Sequence, residues 1–313
     1  MNAAVLKTVD SKGSGGSNPS PSAKPREMEM EQALRETDIK PCCLTIAGSD
    51  SGGNAGVQAD LRAFHSYGLH GCTVFAALTA QNPFGVSAIH AVPADFVAAQ
   101  LDSVLGVYSI AALKTGMLSD QAAIEAIADR LSAHPEISKV IDPVMIATSG
   151  ARLIGESAMK AVKRRLMPLA TLVTPNLPEA EALCGGEMSP EVQRAGSAAR
   201  AAELARRIAG TYGCAVLVKG GHGDGGAAVD VLFDGHETRE FSMTWVKDPV
   251  STHGTGCSLA AALAAELALG RDLKSAVEGA KAYVHKAIAS SYYVGENCGV
   301  LGFVAGCAAK WNT

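Results

Sequence analysis

The chain has 313 residues, 48% of them hydrophobic, 19% charged and 5% aromatic, with 33 glycines and a formal net charge of −4. This much apolar material excludes wholesale disorder, and a mildly acidic chain without a basic stripe argues against a nucleic-acid partner. The eight cysteines form no CxxC pair and no Cys/His cluster at zinc spacing, so reduced thiols in a cytoplasmic protein are expected rather than a disulfide framework or a structural metal.

Residues 1–38 read as a disordered or loosely helical tail. Ser11 to Pro25 is Ser, Gly, Pro and Lys without apolar periodicity, and residues 27–38 are densely charged. No apolar run near the N-terminus is long enough for a signal segment, and Cys257 to Leu269 is too short to span a bilayer and carries Glu266. No membrane association is expected. Residues 39–313 read as a single α/β domain.

Within it, CCLTIA (42–47) predicts a strand ending at Gly48, and Val57, Leu61 and Phe64 mark a helix to about Tyr67. CTVFAALTA (72–80) predicts a fully buried strand, Pro93 to Leu105 a helix, IAALKTG a strand, and Ser119 the cap of a helix to about Ala133. KVIDPV (139–144) is the next strand, Glu156 to Met167 a helix, and TLVTP (171–175) a strand. Helices at about 178–184 and 196–210 precede the strand CAVLVKG (214–220). Residues 227–242 predict a hairpin turned at Asp234-Gly235. Two helices close the series, from about Gly256 and from Asp272 to Ser290. Continuously apolar strands alternating with amphipathic helices predict a mostly parallel sheet covered on both faces.

Ligands of such sheets bind beyond the carboxyl ends of the strands. Polar residues and glycines collect there: Gly48 to Gly56, Gln81-Asn82, Lys114 to Met117, Asp142, Thr174 to Glu179 and Lys219 to Gly226. No GxxxxGK[ST] loop is present. Gly221, Gly223 and Gly226 satisfy GxGxxG but lead into a strand rather than a helix, so the match is read as accidental and a nicotinamide enzyme is disfavoured.

The strongest local feature is STHGTGCSLAAALAAELALG. Gly254, Thr255 and Gly256 precede a long apolar helix, a turn able to aim backbone N–H groups and a helix N-terminus at one anion. Cys257 falls in the first turn, where the helix dipole is expected to lower its pKa from about 8.5; a buried small residue after a glycine turn is the bland alternative. Asn176 and Glu179, spaced N-x-x-E, suit hydrated magnesium or a helix cap. Asp142 ends an apolar strand, where a carboxylate needs a partner or a use, and Lys219 ends another, placed to meet a phosphate.

Taken in order, GSDSGGNAGVQADLRAF, ALTAQN, KTGML, DPVM, TPNLPEAEAL, VLVKGGH and HGTGCSLAAALAA resemble the hydroxymethylpyrimidine/phosphomethylpyrimidine kinases of thiamine biosynthesis, over about Cys42 to Ala289. The resemblance implies a ribokinase-like three-layer sandwich and ATP-dependent phosphorylation of a pyrimidine hydroxymethyl group, then of the monophosphate to the pyrophosphate. Gln81 would bind the aminopyrimidine. Gly48, Asp50, Ala55 and Asp60 would shape and polarise its pocket, walled by Met117 and Val144. Lys219 and Asn176 would serve ATP, with Glu179 and Asp142 organising Mg²⁺. Gly254, Thr255 and Gly256 would stabilise the transferring phosphoryl group, and Cys257, where sugar kinases and the classical pyridoxal kinases of the fold have Asp, would act as general base. A homodimer is also implied.

Asn54 stands where the family commonly has Gly, and the C-terminus lacks the usual Gly-His-rich ending. A Cys-type pyridoxine/pyridoxal kinase shares the HGTGC turn and is the alternative reading. A Cys257–His253 hydrolase and a non-catalytic vitamin-binding regulator are weaker.

Overall fold

The computed structural model describes residues 40–145, 154–185, 196–220 and 226–303. Pro41–Thr313 forms one compact unit. The tail reading and the GxGxxG glycines 221 and 223 lie outside the described residues.

Nine strands, β1 (Cys42–Gly48), β2 (His70–Asn82), β3 (Gly85–Ala91), β4 (Ile110–Thr115), β5 (Ser138–Ile141), β6 (Leu172–Val173), β7 (Ala215–Val218), β8 (Ala227–Phe233) and β9 (Thr238–Thr244), make one sheet in the order β3-β2-β1-β4-β5-β6-β7-β8-β9. Strands β2, β1, β4, β5, β6 and β7 are parallel, while β3, β8 and β9 join by antiparallel pairing. The helices are α1 (Gly56–Ser66), α2 (Ala94–Leu105), α3 (Gln121–Ser132), α4 (Glu156–Ala161), α5 (Leu177–Cys184), α6 (Ser197–Tyr212), α7 (Thr255–Ala268) and α8 (Leu273–Ala289). A small separate hairpin pairs β10 (Tyr292–Gly295) with β11 (Cys298–Val300).

The layering follows from which residues each face of the sheet offers. Leu44, Ile46, Leu113 and Ile141 meet α2 to α6 on one side, through Val97, Leu101, Ile124, Ile127, Leu204 and Ile208. Cys43, Ala112, Val140 and Leu217 meet α1, α7 and α8 on the other, through Phe64, Leu259, Leu263, Ala276 and Val277. In α7, Ser258 through Ala265 are all buried, as a helix that is apolar on every side must be. This is the three-layer ribokinase-like arrangement, mostly parallel as expected.

Several local expectations are corrected. Asp120, not Ser119, caps α3, because its carboxylate stands three residues ahead of the Ala123 N–H that it accepts, at 2.8 Å. Strand β2 is longer than 72–80 and only alternately buried. It turns back into β3, a strand the sequence reading left out, through an Asx turn in which Asn82 Oδ1 accepts the Phe84 N–H at 2.9 Å. The helix expected over 156–167 continues past α4 only as a π-turn (Val162–Leu166) and a 3₁₀ turn (Met167–Leu169) around Pro168. Strand β6 shrinks to two residues. The hairpin at Asp234-Gly235 forms as expected, with Asp234 Oδ1 accepting from the His236 and Glu237 N–H groups and Gly235 at φ +102°.

One polar cluster crosses the core. Lys114 of β4 donates to both oxygens of Asp60 on α1 at 2.9 Å, and Thr45 of β1 donates to Asp60 Oδ2 at 2.6 Å; both ionic side chains are 0% exposed. Burial works against the Lys114 charge, yet Asp60 and the other acidic groups nearby together outweigh it and hold the ammonium well above its ordinary pKa. Removing one member of such a pair strands a buried charge, so Lys114→Met is expected to lower stability by about 3–5 kcal/mol, and Lys114→Met combined with Asp60→Leu to recover most of it. Urea unfolding of both variants checks this, and equal losses in the two would contradict it.

Candidate active site

A cavity of about 410 Å³ opens where β1, β4, β5, β6 and β7 end, within the usual range for small-molecule sites. Gly48, Asp50, Ala55, Gln81, Met117, Asp142, Val144, Asn176, Glu179, Lys219, Gly254, Thr255, Gly256 and Cys257 all line it. Asp60 does not: its carboxylate is consumed by Lys114 and Thr45 beneath the site. The expectation that it polarises the pocket directly is corrected, since an Asp on the buried stripe of α1 (Val57, Asp60, Phe64) faces the sheet.

Two helix N-termini converge on the cavity. Gly254 precedes α7 at φ +89°, and any β-carbon there would collide with the Asn54 carbonyl oxygen. Gly56 opens α1 at φ +56°, where a β-carbon would strike the Gly48 carbonyl oxygen. These close approaches admit only glycine and bring the positive ends of α7 and α1 together, a geometry suited to an anion. Asp50 fastens the intervening loop: its carboxylate accepts the N–H groups of Gly52, Asn54 and Ala55 at 2.8–2.9 Å. Burial disfavours that charge, but the His253 ring and these three N–H groups hold the carboxyl below its ordinary pKa. Asn54 is buried in this loop and does not adopt a left-handed conformation, so its place in a position commonly glycine brings no strain.

Lys219 follows β7 and brings a positive charge to the cavity. Its ammonium lies 2.8 Å from Asp142 Oδ1 and 3.9 Å from Glu179 Oε2. Burial opposes that charge, while Asp142 and Glu179 outweigh burial and raise the pKa. Thr174 donates to the same Asp142 oxygen at 3.1 Å. A side chain at Gly256 would begin 3.8 Å from Lys219 Nζ, so the lysine reaches the N-terminus of α7.

Asn176 and Glu179 form a capping box at the start of α5: Asn176 Oδ1 accepts the Glu179 N–H and Glu179 Oε2 accepts the Asn176 N–H, each at 2.8 Å. The cap reading is therefore realised, and both residues still face the cavity. Glu179 is pushed up in pKa chiefly by burial, with the Asp142 charge adding to it against Lys219. Among the described residues no group of three or more His, Cys, Asp and Glu side chains could hold a metal ion alone. Two buried carboxylates beside a lysine nevertheless fit Mg²⁺, which keeps several waters and takes one or two carboxylates plus substrate phosphates.

Cys257 is half-buried in the first turn of α7, with the Gly56 N–H bonded to its sulfur. The expected lowering of its pKa does not occur. Burial pushes the thiol up, and the Asp60 and Asp142 charges add to that, outweighing Lys114 and the Gly56 N–H, which pull it down. The helix dipole acts in a site too well shielded from water for it to prevail. His253 turns towards Asp50, its Nε2 3.9 Å from Oδ2, which leaves a Cys257–His253 pair without support.

At one end of the cavity Gln81, Met117 and Val144 are joined by Val86 of β3. Met117 packs so closely on Gly48 that a β-carbon there would collide with its methyl group. The opposite end is walled by β8, β9, the segment after β9 and α8, through Ala228, Met243, Trp245, Val284 and Ile288. Sequence reasoning missed this end. The signals available were a charged Asp230 inside an apolar strand and Lys281 on the apolar stripe of α8 between Val277 and Val284.

Residues 50–302 match the family model for phosphomethylpyrimidine kinase. The chain is 46% identical over 248 residues to the hydroxymethylpyrimidine/phosphomethylpyrimidine kinase of Rhizobium meliloti, covering 79% of this chain and 90% of that one. It is 43% identical over 283 residues to a thiamine biosynthesis bifunctional protein of Geobacter sulfurreducens, covering 90% of this chain but 56% of that longer one. Among solved structures, an ADP complex of Bacillus subtilis pyridoxal kinase superposes with a TM-score of 0.74 at 33% identity, covering 84% of this chain and 97% of that one.

With its thiol pKa raised, Cys257 in the ligand-free protein is expected to react slowly with iodoacetamide at pH 7. The rate should climb only as pH passes the ordinary thiol value of about 8.5. Mass-spectrometric mapping of the Cys257 peptide across pH reads this out, and a rate already at its plateau by pH 7 would contradict it.

Proposed function

The chain belongs to the phosphomethylpyrimidine kinase family and is a hydroxymethylpyrimidine/phosphomethylpyrimidine kinase of thiamine biosynthesis; on that premise we propose how its site works. The reading rests on one observation: Lys219, the joined N-termini of α1 and α7, and the Asp142–Glu179 carboxylates share one cavity with the Gln81, Met117 and Val144 end.

The aminopyrimidine lies against Gln81, Met117, Val144 and Val86, its hydroxymethyl group directed towards Cys257. ATP is the co-substrate, its phosphates held by Lys219, by the Gly254-Thr255-Gly256 turn and by the Asn176 amide, whose Oδ1 is already used by the cap. The apolar wall of Met243, Trp245, Val284 and Ile288 suits the nucleotide base. Asp142 and Glu179 would hold Mg²⁺, which would supply neutralisation of charge on the phosphates. The hydroxyl oxygen attacks the γ-phosphorus as the bond to the ADP oxygen breaks. The transition state is loose, so positioning and charge neutralisation dominate and the hydroxyl proton is lost late. A neutral Cys257 fits such a step as a hydrogen-bonding partner that orients the hydroxyl, whose proton passes late to an oxygen of the transferred phosphoryl group. The protein acts in the cytoplasm as a homodimer; the exposed Leu78, Phe84 and Ile89 of the β2–β3 hairpin support an apolar contact with a second copy.

The test is ADP release with Mg-ATP and, separately, hydroxymethylpyrimidine, its monophosphate and pyridoxal. Turnover of both pyrimidines well above pyridoxal is expected. A preference for pyridoxal, the named activity of the Bacillus subtilis structure, would move the assignment and void the roles of Gln81 and Met117. In the same assay Cys257→Ala is expected to lose about 10²–10³ in kcat without being inert, and full activity in that variant would remove Cys257 from the chemistry.

A further inference from the structure

A second buried ion pair stands on the cavity wall away from Asp142. Lys281 of α8 donates to Asp230 Oδ2 of β8 at 2.6 Å, and each side chain is 9% exposed. Such pairs seldom add net stability, and apolar residues of similar size would fill the space as well. What distinguishes this one is the other carboxylate oxygen, which accepts the Gly220 N–H at 2.8 Å. Gly220 follows Lys219.

The strand register explains why that N–H needs a side-chain partner. The antiparallel ladder of β7 and β8 runs Val216 to Phe233, Leu217 to Leu232 and Val218 to Val231, and there it ends. Beyond it, Gly220 presses against the Val229 carbonyl, where a β-carbon would collide. The Asp230 carboxylate thus takes the amide just past the last rung. On the opposite side the Lys219 N–H donates to the Pro175 carbonyl at 2.8 Å, and Lys219 bridges Asn176. The backbone of Lys219 is therefore held from both flanks, by the β6 extension on one and by Asp230 on the other.

We propose that Asp230 and Lys281 are positioning residues for phosphoryl transfer: Lys281 fixes the carboxylate, the carboxylate fixes Gly220, and Gly220 sets where Lys219 presents its ammonium. This rests on the reading of Lys219 as the contact to the ATP phosphates. Neither residue needs to touch the reacting atoms.

Two double variants separate positioning from plain structural support. Asp230→Leu with Lys281→Met removes both charges and the acceptor for Gly220. Asp230→Asn with Lys281→Gln removes both charges and keeps an acceptor oxygen. The readouts are kcat, KM for each substrate, and affinity for a non-hydrolysable ATP analogue by titration calorimetry, with thermal unfolding to establish that both fold. The Leu/Met pair is expected to lose about 10²-fold in kcat, since misplacement of a catalytic group by about 1 Å has that scale, with weakened analogue binding and an unchanged KM for the pyrimidine. The Asn/Gln pair should recover most of that loss. Parent-like kcat in the Leu/Met pair, or equal losses in both pairs, would overturn the proposal. Should the Leu/Met pair fail to fold, Lys281→Met against Lys281→Arg decides: a kcat loss restored by arginine upholds the clamp, and none refutes it. If no pyrimidine is turned over by the parent while analogue binding still follows the pattern, the acceptor assignment falls and the clamp stands. Analogue binding indifferent to both pairs removes the clamp.

Discussion

The site depends on backbone meeting backbone without a side chain between. At Gly254 the start of α7 lies against the Asn54 carbonyl, and at Gly56 the start of α1 lies against that of Gly48. Cys257 and Lys219 meet at the positive region these contacts create. Cys257 enters that region through the N–H of Gly56, and Lys219 reaches it from the end of β7. An alanine at either glycine would force the two helices apart, and with them the groups that the sheet delivers from five different strand ends.

Around that region the protein places buried cations rather than solvated ones. Lys114, Lys219 and Lys281 are each tied to a buried aspartate, Asp60, Asp142 and Asp230. The three pairs differ in what they leave available. Lys114 spends its ammonium on both oxygens of Asp60, so that pair lies sealed beneath the site. Lys219 is shared between Asp142 and the more distant Glu179 and faces the cavity. This ordering explains a neutral Cys257: the Lys114 ammonium that acts on it is already neutralised by Asp60, so it offsets only part of the desolvation.

The sequence exposes the parallel half of the sheet well, because continuously apolar strands and 3.6-residue periodicity are physical requirements of that architecture. It also exposes the parallel strand ends that line the cavity, since a polar residue directly after an apolar strand has few other places to go. It conceals what is decided by neighbours. Strand β3 is mostly exposed and has no apolar signature. Asp60 and Lys114 look like site residues until the fold shows them spent on each other. The direction of the Cys257 shift reverses because burial, a property of the packed state, competes with the helix dipole, which position in the first turn reveals. The resemblance to a kinase family adds roles to residues that local chemistry had left ambiguous, such as the Asn176–Glu179 cap.

The buried run of α7 has a mechanical meaning. Ser258 through Ala265 are buried on every side, and the five alanines among them have no rotamer to change. The helix can neither roll nor slide without opening voids in close-packed surroundings. Its dipole is consequently a fixed field, oriented before any ligand arrives, and charge that develops during the reaction meets it without reorganisation of the protein.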